Sequence, residues 1–370
     1  MNRNEFKRLL REYAFIEDKD LSGCNMSCLD LTEVRFLRCD LSGVNLSDSN
    51  LAHGMFETCN LHGANLDNAK LDHVVLMKSD LTNVNLSRTS MENGMVSECC
   101  LKGAELSKAT WSSSIIQDCN CESARFKGSK LHGSIIKGCS LEFCDFSGLF
   151  IEKIAFDGVC FDHADFSHAL LTKSYISECD LSKCLLANTE FRAMQANECN
   201  FNGQNLSSSV LEQSYFMGSS FINADLSGVH GAHTAFTNAD LTGVNLSQAN
   251  LSHSNFDGSL LMDANFSNAN LLQAQMTNLK AQRASFNCCS CKQANFSHSD
   301  LSYADLSRAN FSFCDFHNLE HEHANWKGSV KLGARWDDEV RTKAENWQVP
   351  LSIQQEIEQA LSESDTRTSI

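Results

Sequence analysis

Large apolar residues recur along this chain at every fifth position, and the residues between them are mostly small or polar. From Leu21 the steps fall on Met26, Leu31, Phe36, Leu41, Leu46, Leu51 and Phe56. The same frame runs without insertion or deletion to Phe311, Phe316, His321 and Trp326. It makes 62 successive pentapeptides, and only six centres are not large and apolar: Cys121, Ala196, Gly231, Ala281, Cys291 and His321. Two residues before each centre stands a second restricted position, mostly Ala, Ser, Cys, Val or Thr. Asn or Asp commonly precedes the centre, and Ser or Thr commonly follows it. A helix needs apolar residues every three or four positions and a half-buried strand every two. A period of five fits neither and marks an internal repeat.

Runs such as Ala239-Asp240-Leu241-Thr242-Gly243, Ala249-Asn250-Leu251-Ser252-His253 and Ala304-Asp305-Leu306-Ser307-Arg308 resemble the pentapeptide-repeat family motif, A(D/N)LXX. The resemblance covers roughly residues 20 to 331. It implies an all-β solenoid: a right-handed quadrilateral β-helix of about 15–16 coils, four pentapeptides to a coil, with short α-helical ends. The physical logic agrees. The centre and the small residue two places earlier point inward, and the other three side chains face solvent. Coils then stack through backbone hydrogen bonds at about 4.8 Å, giving a rod roughly 75 Å long.

Four pentapeptides per coil place residues twenty apart in vertical columns. One column of centres reads Phe36, Phe56, Leu76, Val96, Ile116, Ile136, Phe156, Ile176, Ala196, Phe216, Phe236, Phe256, Met276, Phe296 and Phe316, a stack of rings that serves packing. A column of small positions holds Cys39, Cys59, Cys99, Cys119, Cys139, Cys179 and Cys199, interrupted by Ser79 and Val159. One thiol per coil cannot converge on zinc, and parallel in-register side chains orient poorly for disulfides. These cysteines read as small buried hydrophobes. At Met194/Ala196 and Leu279/Ala281, large and small residues exchange places and keep core volume nearly constant. Gly231 and Gln204 lack such compensation, and they mark a distortion or a buried hydrogen bond.

Composition narrows the chemistry. The formal charge is -16, with Lys+Arg 30 against Asp+Glu 46, which argues against direct nucleic-acid binding through phosphates. The only proline is Pro350, consistent with a backbone whose amides are committed to ladder bonds. No apolar stretch is long enough to span a membrane, and the charged start MNRNEFKRLLREYAFIEDKD lacks a signal-peptide core. A bacterial cytoplasm is the expected location, with non-Sec secretion as the alternative. No phosphate loop, HExxH or GxSxG motif occurs, and exposed Asp and His lie on flat faces without a pocket. No enzyme, cofactor or metal is therefore expected. The run Phe316-His317-Asn318-Leu319-Glu320-His321-Glu322-His323 offers imidazoles, but His321 is an inward centre while His317 and His323 project outward, so the frame predicts no convergence on one ion. The Cys288-Cys289-Ser290-Cys291 cluster divides in the same way, with only Cys288 outward.

Charge is uneven along the rod. No Lys or Arg lies between Arg192 and Lys280, where Glu198, Glu212, Asp225, Asp240, Asp257 and Asp263 all occur. Lys102, Lys108, Arg125, Lys127, Lys130 and Lys137 form a mildly basic neighbourhood. The family resemblance gives the acidic band a meaning, since some members resemble duplex DNA and bind DNA gyrase or topoisomerase IV to block quinolones or toxins. Duplex DNA carries a charge every ~1.7 Å, so a rod of this length would need roughly 44. The repeats carry 34 acidic and 21 basic residues, about a third of that density.

The ends differ from the shaft. Residues 1–19 read as an N-terminal helical cap, with Phe6, Leu9, Leu10 and Tyr13 on one face. Beyond Trp326 the frame is lost, and residues 332–370 read as a C-terminal cap or docking segment with a disordered tail. Asp337-Asp338-Glu339 suits a helix start, with Val340, Ala344 and Trp347 on one face. Pro350 breaks the chain, and Ser352 with Gln355 resembles a capping box opening a second helix with Ile353, Ile357 and Leu361. Trp336, Val340, Trp347, Ile353, Ile357 and Leu361 are the apolar docking candidates, and a homodimer contact through the C-terminal end is their second reading. The sequence thus favours a non-enzymatic scaffold or adaptor for a protein partner. A topoisomerase-directed DNA mimic is the first alternative, and a secretion-system effector or accessory is the second.

Overall fold

In the computed structural model the chain is a parallel β-solenoid, described over residues 5–8, 14–347 and 353–354. Every ladder pair joins residues twenty apart. The pairing runs from Phe15↔Arg35 to Asp315↔Arg335, sixteen steps along one column. Centres and the residues two before them are buried throughout the shaft, and the three remaining positions of each pentapeptide are mostly exposed or half-buried, with Ser97, Ser177, Ser297, Ser307, Ser312 and His317 buried. The core is one continuous cluster from Phe6 and Ile16 to Phe316.

The corner after each pentapeptide turns through the left-handed region. From Asp18 to Gly333 the residue two past each centre has positive φ, with Lys183 the exception, and most of these corners are not glycine. A non-glycine residue there costs about 1–2 kcal/mol. The cost is offset because most corner N–H groups enter the ladder, as in Gly23 N to Ser42 O at 2.8 Å and Cys28 N to Ser47 O at 2.9 Å. The Asn or Asp before the centre also has a local job. Its Oδ1 accepts the backbone N–H two residues on, as Asp20 does from Ser22 (3.0 Å) and Asn45 from Ser47 (3.1 Å). These Asx-turns fix the corner. Asparagines further join coil to coil, Asn85 Nδ2 donating to Asn65 Oδ1 at 3.0 Å and Asn65 Nδ2 to Asn45 Oδ1 at 3.4 Å.

We number the four faces by their centres: face one from Leu21, face two from Met26, face three from Leu31 and face four from Ile16. Face four forms a ten-stranded parallel sheet from Phe15–Glu17 to Gln195–Asn197, and face three adds three-residue strands from Ser90–Glu92 to Glu190–Arg192. Elsewhere an N–H three residues past the centre closes a turn onto the centre carbonyl, as Cys24 N does onto Leu21 O at 3.1 Å. On the strand faces the corner is wider, and the next coil completes it. Cys59 N donates to Ser79 Oγ at 3.0 Å, and Cys99 N donates to Cys119 Sγ at 3.4 Å. The centre carbonyls of Ile16, Phe36 and Val96 accept from Cys39, Cys59 and Cys119 Sγ at 3.4, 3.4 and 3.6 Å. The cysteine column is therefore more than small apolar filling: it meets backbone groups that a wide corner leaves open. All eighteen cysteines are free thiols. Burial pushes Cys179 up to about 11 and Cys199 up to about 12, so both stay protonated donors at neutral pH.

The compensating pairs pack as the sequence implies, with Met194, Ala196, Leu279 and Ala281 all buried. Gln204 is a buried hydrogen bond, its Nε2 donating to the carbonyls of Leu181, Ser182 and Cys184 at 2.8, 2.9 and 3.1 Å. Stacked rings are not confined to face four. Phe126, Phe146 and Phe166 stack at 4.9 and 4.8 Å on face two, and Phe201 and Phe221 at 4.7 Å on face one.

The coil reaches beyond residues 20–331 at both ends. Phe15–Glu17 already pairs with Arg35–Leu37, and Phe311 N and Phe316 N bond Val330 O and Arg335 O at 2.7 Å each. The frame persists past Trp326 through Lys331 and Trp336. Counting apolar centres misses it, because a lysine occupies one of the two.

Candidate functional site

The last coil has no coil above it, so its inward positions close the rod instead of filling it. Its centres are His321, Trp326, Lys331 and Trp336. Trp336 lies 4.8 Å from the Phe316 ring and Trp326 lies 5.4 Å from Phe311, while Lys331 Nζ sits 4.5 Å over the Trp326 ring. His321 packs edge-on against both indoles at 5.8 and 5.6 Å. Planar rings with polar edges suit a surface that is apolar below and wet above. This explains why His321, an inward centre by frame, is exposed. At the opposite end Phe6, in the helical turn of residues 5–8, is wholly buried in the core. Leu9, Leu10 and Tyr13 lie outside the described residues.

One short helix, α1 (Glu339–Glu345), follows the aromatic end. Asp338 caps it, accepting from Val340 N at 2.8 Å and Arg341 N at 3.2 Å. Its polar side docks on the shaft. Arg341 Nη1 reaches Asp315 Oδ2 at 3.0 Å and Arg341 Nε reaches Glu345 Oε1 at 2.7 Å. Glu345 Oε2 in turn accepts from His317 Nε2 at 3.1 Å and lies 3.4 Å from His298 Nε2. The Arg341 guanidinium holds the Glu345 carboxyl below its ordinary range. His317, which the frame places outward, is only 1% exposed because α1 and its clamp cover it.

Donor atoms of His298, His317 and Glu345 lie within 4.8 Å of one another, a set that could ligate zinc. The surrounding hydrogen bonds decide against it. The backbone N–H of Asp338 donates to His317 Nδ1 at 3.2 Å, so the ring proton sits on Nε2 and points at Glu345. An Nε2-bound metal would put that proton on Nδ1, facing the Asp338 N–H. The trio is a clamp that ties α1 to the shaft. His321 and His323 take no part in it.

While its polar side docks, α1 turns apolar residues outward. Val340 is 76% exposed and Trp347 66%, and beside them Trp336 is 42% exposed. Ile353 is 44% exposed, and Ile357 and Leu361 lie outside the described residues.

The repeat, the square coil and the family model agree. A model of a pentapeptide repeat region matches residues 16–86, 55–126 and 230–306, and a second, for pentapeptide repeats in eight copies, matches 114–149, 152–188 and 197–230. The chain belongs to the pentapeptide repeat family. Among solved family members, HetL of the cyanobacterium Nostoc, a protein involved in heterocyst differentiation regulation, is 19% identical over 62% of this chain and 87% of its own, with a TM-score of 0.20. Full-length QnrB1, a plasmid-mediated fluoroquinolone resistance protein, is 15% identical over 57% of this chain and 95% of its own, with a TM-score of 0.29. The Rfr23 protein of the cyanobacterium Cyanothece 51142 is 19% identical over 39% and 91%, with a TM-score of 0.17. No curated protein matches the chain.

Within this pentapeptide-repeat shaft the acidic candidates are dispersed. Asp240 and Asp263 lie on face one, Asp225 on face two, Glu212 on face three, and Glu198 and Asp257 on face four. Five of the six are already engaged. Glu212 pairs with Arg192 at 3.0 Å and Asp263 with Arg283 at 2.6 Å. Asp225 and Asp240 hold the N–H groups of Ser227 and Thr242 at 2.9 and 3.0 Å, and Asp257 accepts from Asn278 at 2.8 Å. Two members of the band, Asp225 and Asp240, follow from the Asx-turn that the repeat needs, a link visible in the recurring Asp/Asn–Leu–Ser/Thr order. Of the basic neighbourhood, Lys102, Arg125 and Lys137 pair with Glu122, Glu105 and Asp157. No described helix is long and apolar enough to cross a membrane.

Proposed function

We propose that the chain is a rigid, non-enzymatic scaffold that binds a protein partner, with its C-terminal end as a docking element. The observation that carries this reading is the orientation of α1. A helix that merely covered the rod would turn Val340 and Trp347 onto it, yet the polar clamp holds them outward beside Trp336. Exposed aromatic residues on a fixed support are the usual anchors of protein interfaces. The test is capture of partners by the full chain and by a Val340→Glu, Trp347→Glu variant. Loss of recovered protein in the variant supports the docking role, and equal recovery overturns it. The DNA-mimic alternative gains no support from acids spread over four faces and mostly held by neighbours.

A further inference from the structure

A second surface lies along the shaft, far from α1. On faces one and two the outward residue before each centre is mostly Asp or Asn. On face four it is apolar through seven consecutive coils: Met55, Val75, Met95, Ile115, Ile135, Ala155 and Tyr175. These residues pair in register along the ten-stranded sheet, so they form one straight row. Ile115, Ile135 and Tyr175 stand exposed, and the others are half-buried. Contiguous apolar rows on a protein surface mark interaction sites.

The edge of the row is charged in one sense. Along the edge that follows it, Glu57, Asp118, Glu178 and Glu198 make no ion pair among the described residues. The bases on the same edge are taken: Arg38 by Glu17 and Asp18, Lys78 by Glu98 at 3.9 Å, and Lys137 by Asp157 at 2.8 Å. A partner seated on the row therefore meets unneutralised carboxylates along one side.

The backbone limits the partner further. All ladder bonds of this face run between coils, so a visitor finds only side chains and must bring its own satisfied backbone. An α-helix does so. Laid along the axis it presents an apolar residue every ~5.4 Å, close to the ~4.8 Å rise of the coils. Six steps of the ladder span about 29 Å, or about 19 helical residues at 1.5 Å each.

We propose that face four, from Met55 to Tyr175, is a docking track for an amphipathic helix of a partner protein, apolar along one stripe and basic along the edge that meets Glu57, Asp118, Glu178 and Glu198. A second copy of the same face would bring the same carboxylates and no free base along this edge, and duplex nucleic acid would be repelled. The inference rests on the reading of the chain as a protein-binding scaffold and assigns it a surface separate from the C-terminal end.

The test uses the full chain and two synthetic helical peptides, each with a leucine stripe, one edged with lysine and the other with glutamate. Fluorescence anisotropy should show the lysine-edged peptide binding at least about tenfold tighter, a difference of ~1.4 kcal/mol. Ile115→Thr with Ile135→Thr keeps β-branched strand formers yet removes apolar surface, and should weaken binding about tenfold at an unchanged melting temperature. Asp118→Lys with Glu178→Lys should reverse the preference between peptides. Equal affinity for the two peptides, no saturable binding of either, or indifference to the threonine pair overturns the proposal. So does self-association in sedimentation that the threonine pair abolishes, since the occupant is then a second copy. Captured partners that are insensitive to the threonine pair would remove this track and leave the scaffold reading standing. Capture of none by the full chain would remove the scaffold reading itself.

Discussion

The coils up to residue 197 and those after residue 200 share one frame and one core, yet they close their corners differently. In the first region face four is a continuous sheet with an apolar outer row, and its wide corners are completed by Cys and Ser of the next coil. In the second, turn bonds return to face four, with Ser219 N on Phe216 O at 3.2 Å and Ala239 N on Phe236 O at 3.0 Å. Its outer row still holds Tyr215 and Ala235 before it turns polar at Asn255, Gln275 and Asn295. The residue before the centre biases the choice between strand and turn without deciding it, since Tyr215 and Ala235 also precede turns. An Asx side chain caps the turn, whereas an apolar or β-branched one favours the extended strand. The acidic band lies mainly in the second region, where Asp225 and Asp240 serve the turns. The apolar row proposed as a docking track lies in the first.

The strongest way to break this division is to damage one side of it. Trp111 is buried in the first region, with Nε1 donating to Thr89 Oγ1 at 3.2 Å. Trp111→Ala should cost about 3–5 kcal/mol. In a solenoid each coil contacts only its neighbours, so hydrogen exchange should rise around residues 90–130 and stay low near 245–265. A uniform rise would show one cooperative unit instead of two separable regions. A smaller effect tests the residue before the centre. Asn245 holds Ser247 N at 3.2 Å, donates to Asp225 at 3.0 Å and accepts from Asn265 at 3.2 Å. Asn245→Ala should cost about 2 kcal/mol, from three bonds of roughly 0.5–1.5 each less what water recovers. Ile135→Thr should stay within about 0.5 kcal/mol. Urea melts that reverse this order would refute the stabilising role given to the Asx residue.

The thiols sharpen the same contrast. Cys119→Val leaves the Val96 carbonyl and the Cys99 N–H without their partner and should cost about 1–3 kcal/mol, whereas Cys119→Ser keeps a donor and should cost less. Alkylation of the native protein should reach the exposed Cys28, Cys160 and Cys288 well before the buried thiols.

Much of the fold was legible because a buried centre every five residues tolerates little variation. Register, inward columns and the Met194/Ala196 exchange all follow from side-chain volume. What escaped was set by backbone bonding. The polar role of the cysteine column appears only once the wide corner leaves Ile16 O and Phe36 O open. The clamp escaped for a related reason: His298, His317 and Glu345 come from two successive coils and a helix beyond them, and no spacing in the chain links them. The apolar row was written in the sequence at twenty-residue intervals, but it sat on the outward position that the repeat usually gives to Asp or Asn.

The two ends extend the comparison to pH. The first region is closed by an uncharged residue, Phe6, whereas the second is fastened by carboxylates through α1. The Glu345 carboxyl is held down chiefly by its hydrogen bond from Arg341. A depressed carboxyl stabilises the docked state above its unfolded value of about 4.3 and loses that contribution as pH falls through the lowered folded value. Acid should therefore release α1 while the shaft stays ordered. The expected signal is a change in tryptophan fluorescence from Trp336 and Trp347 below about pH 4, with far-ultraviolet circular dichroism unchanged. Arg341→Met should shift that transition to higher pH, because the carboxyl returns toward its ordinary value. A transition that ignores Arg341, or that melts the first region at the same pH, would mean that the clamp does not hold α1 through these charges.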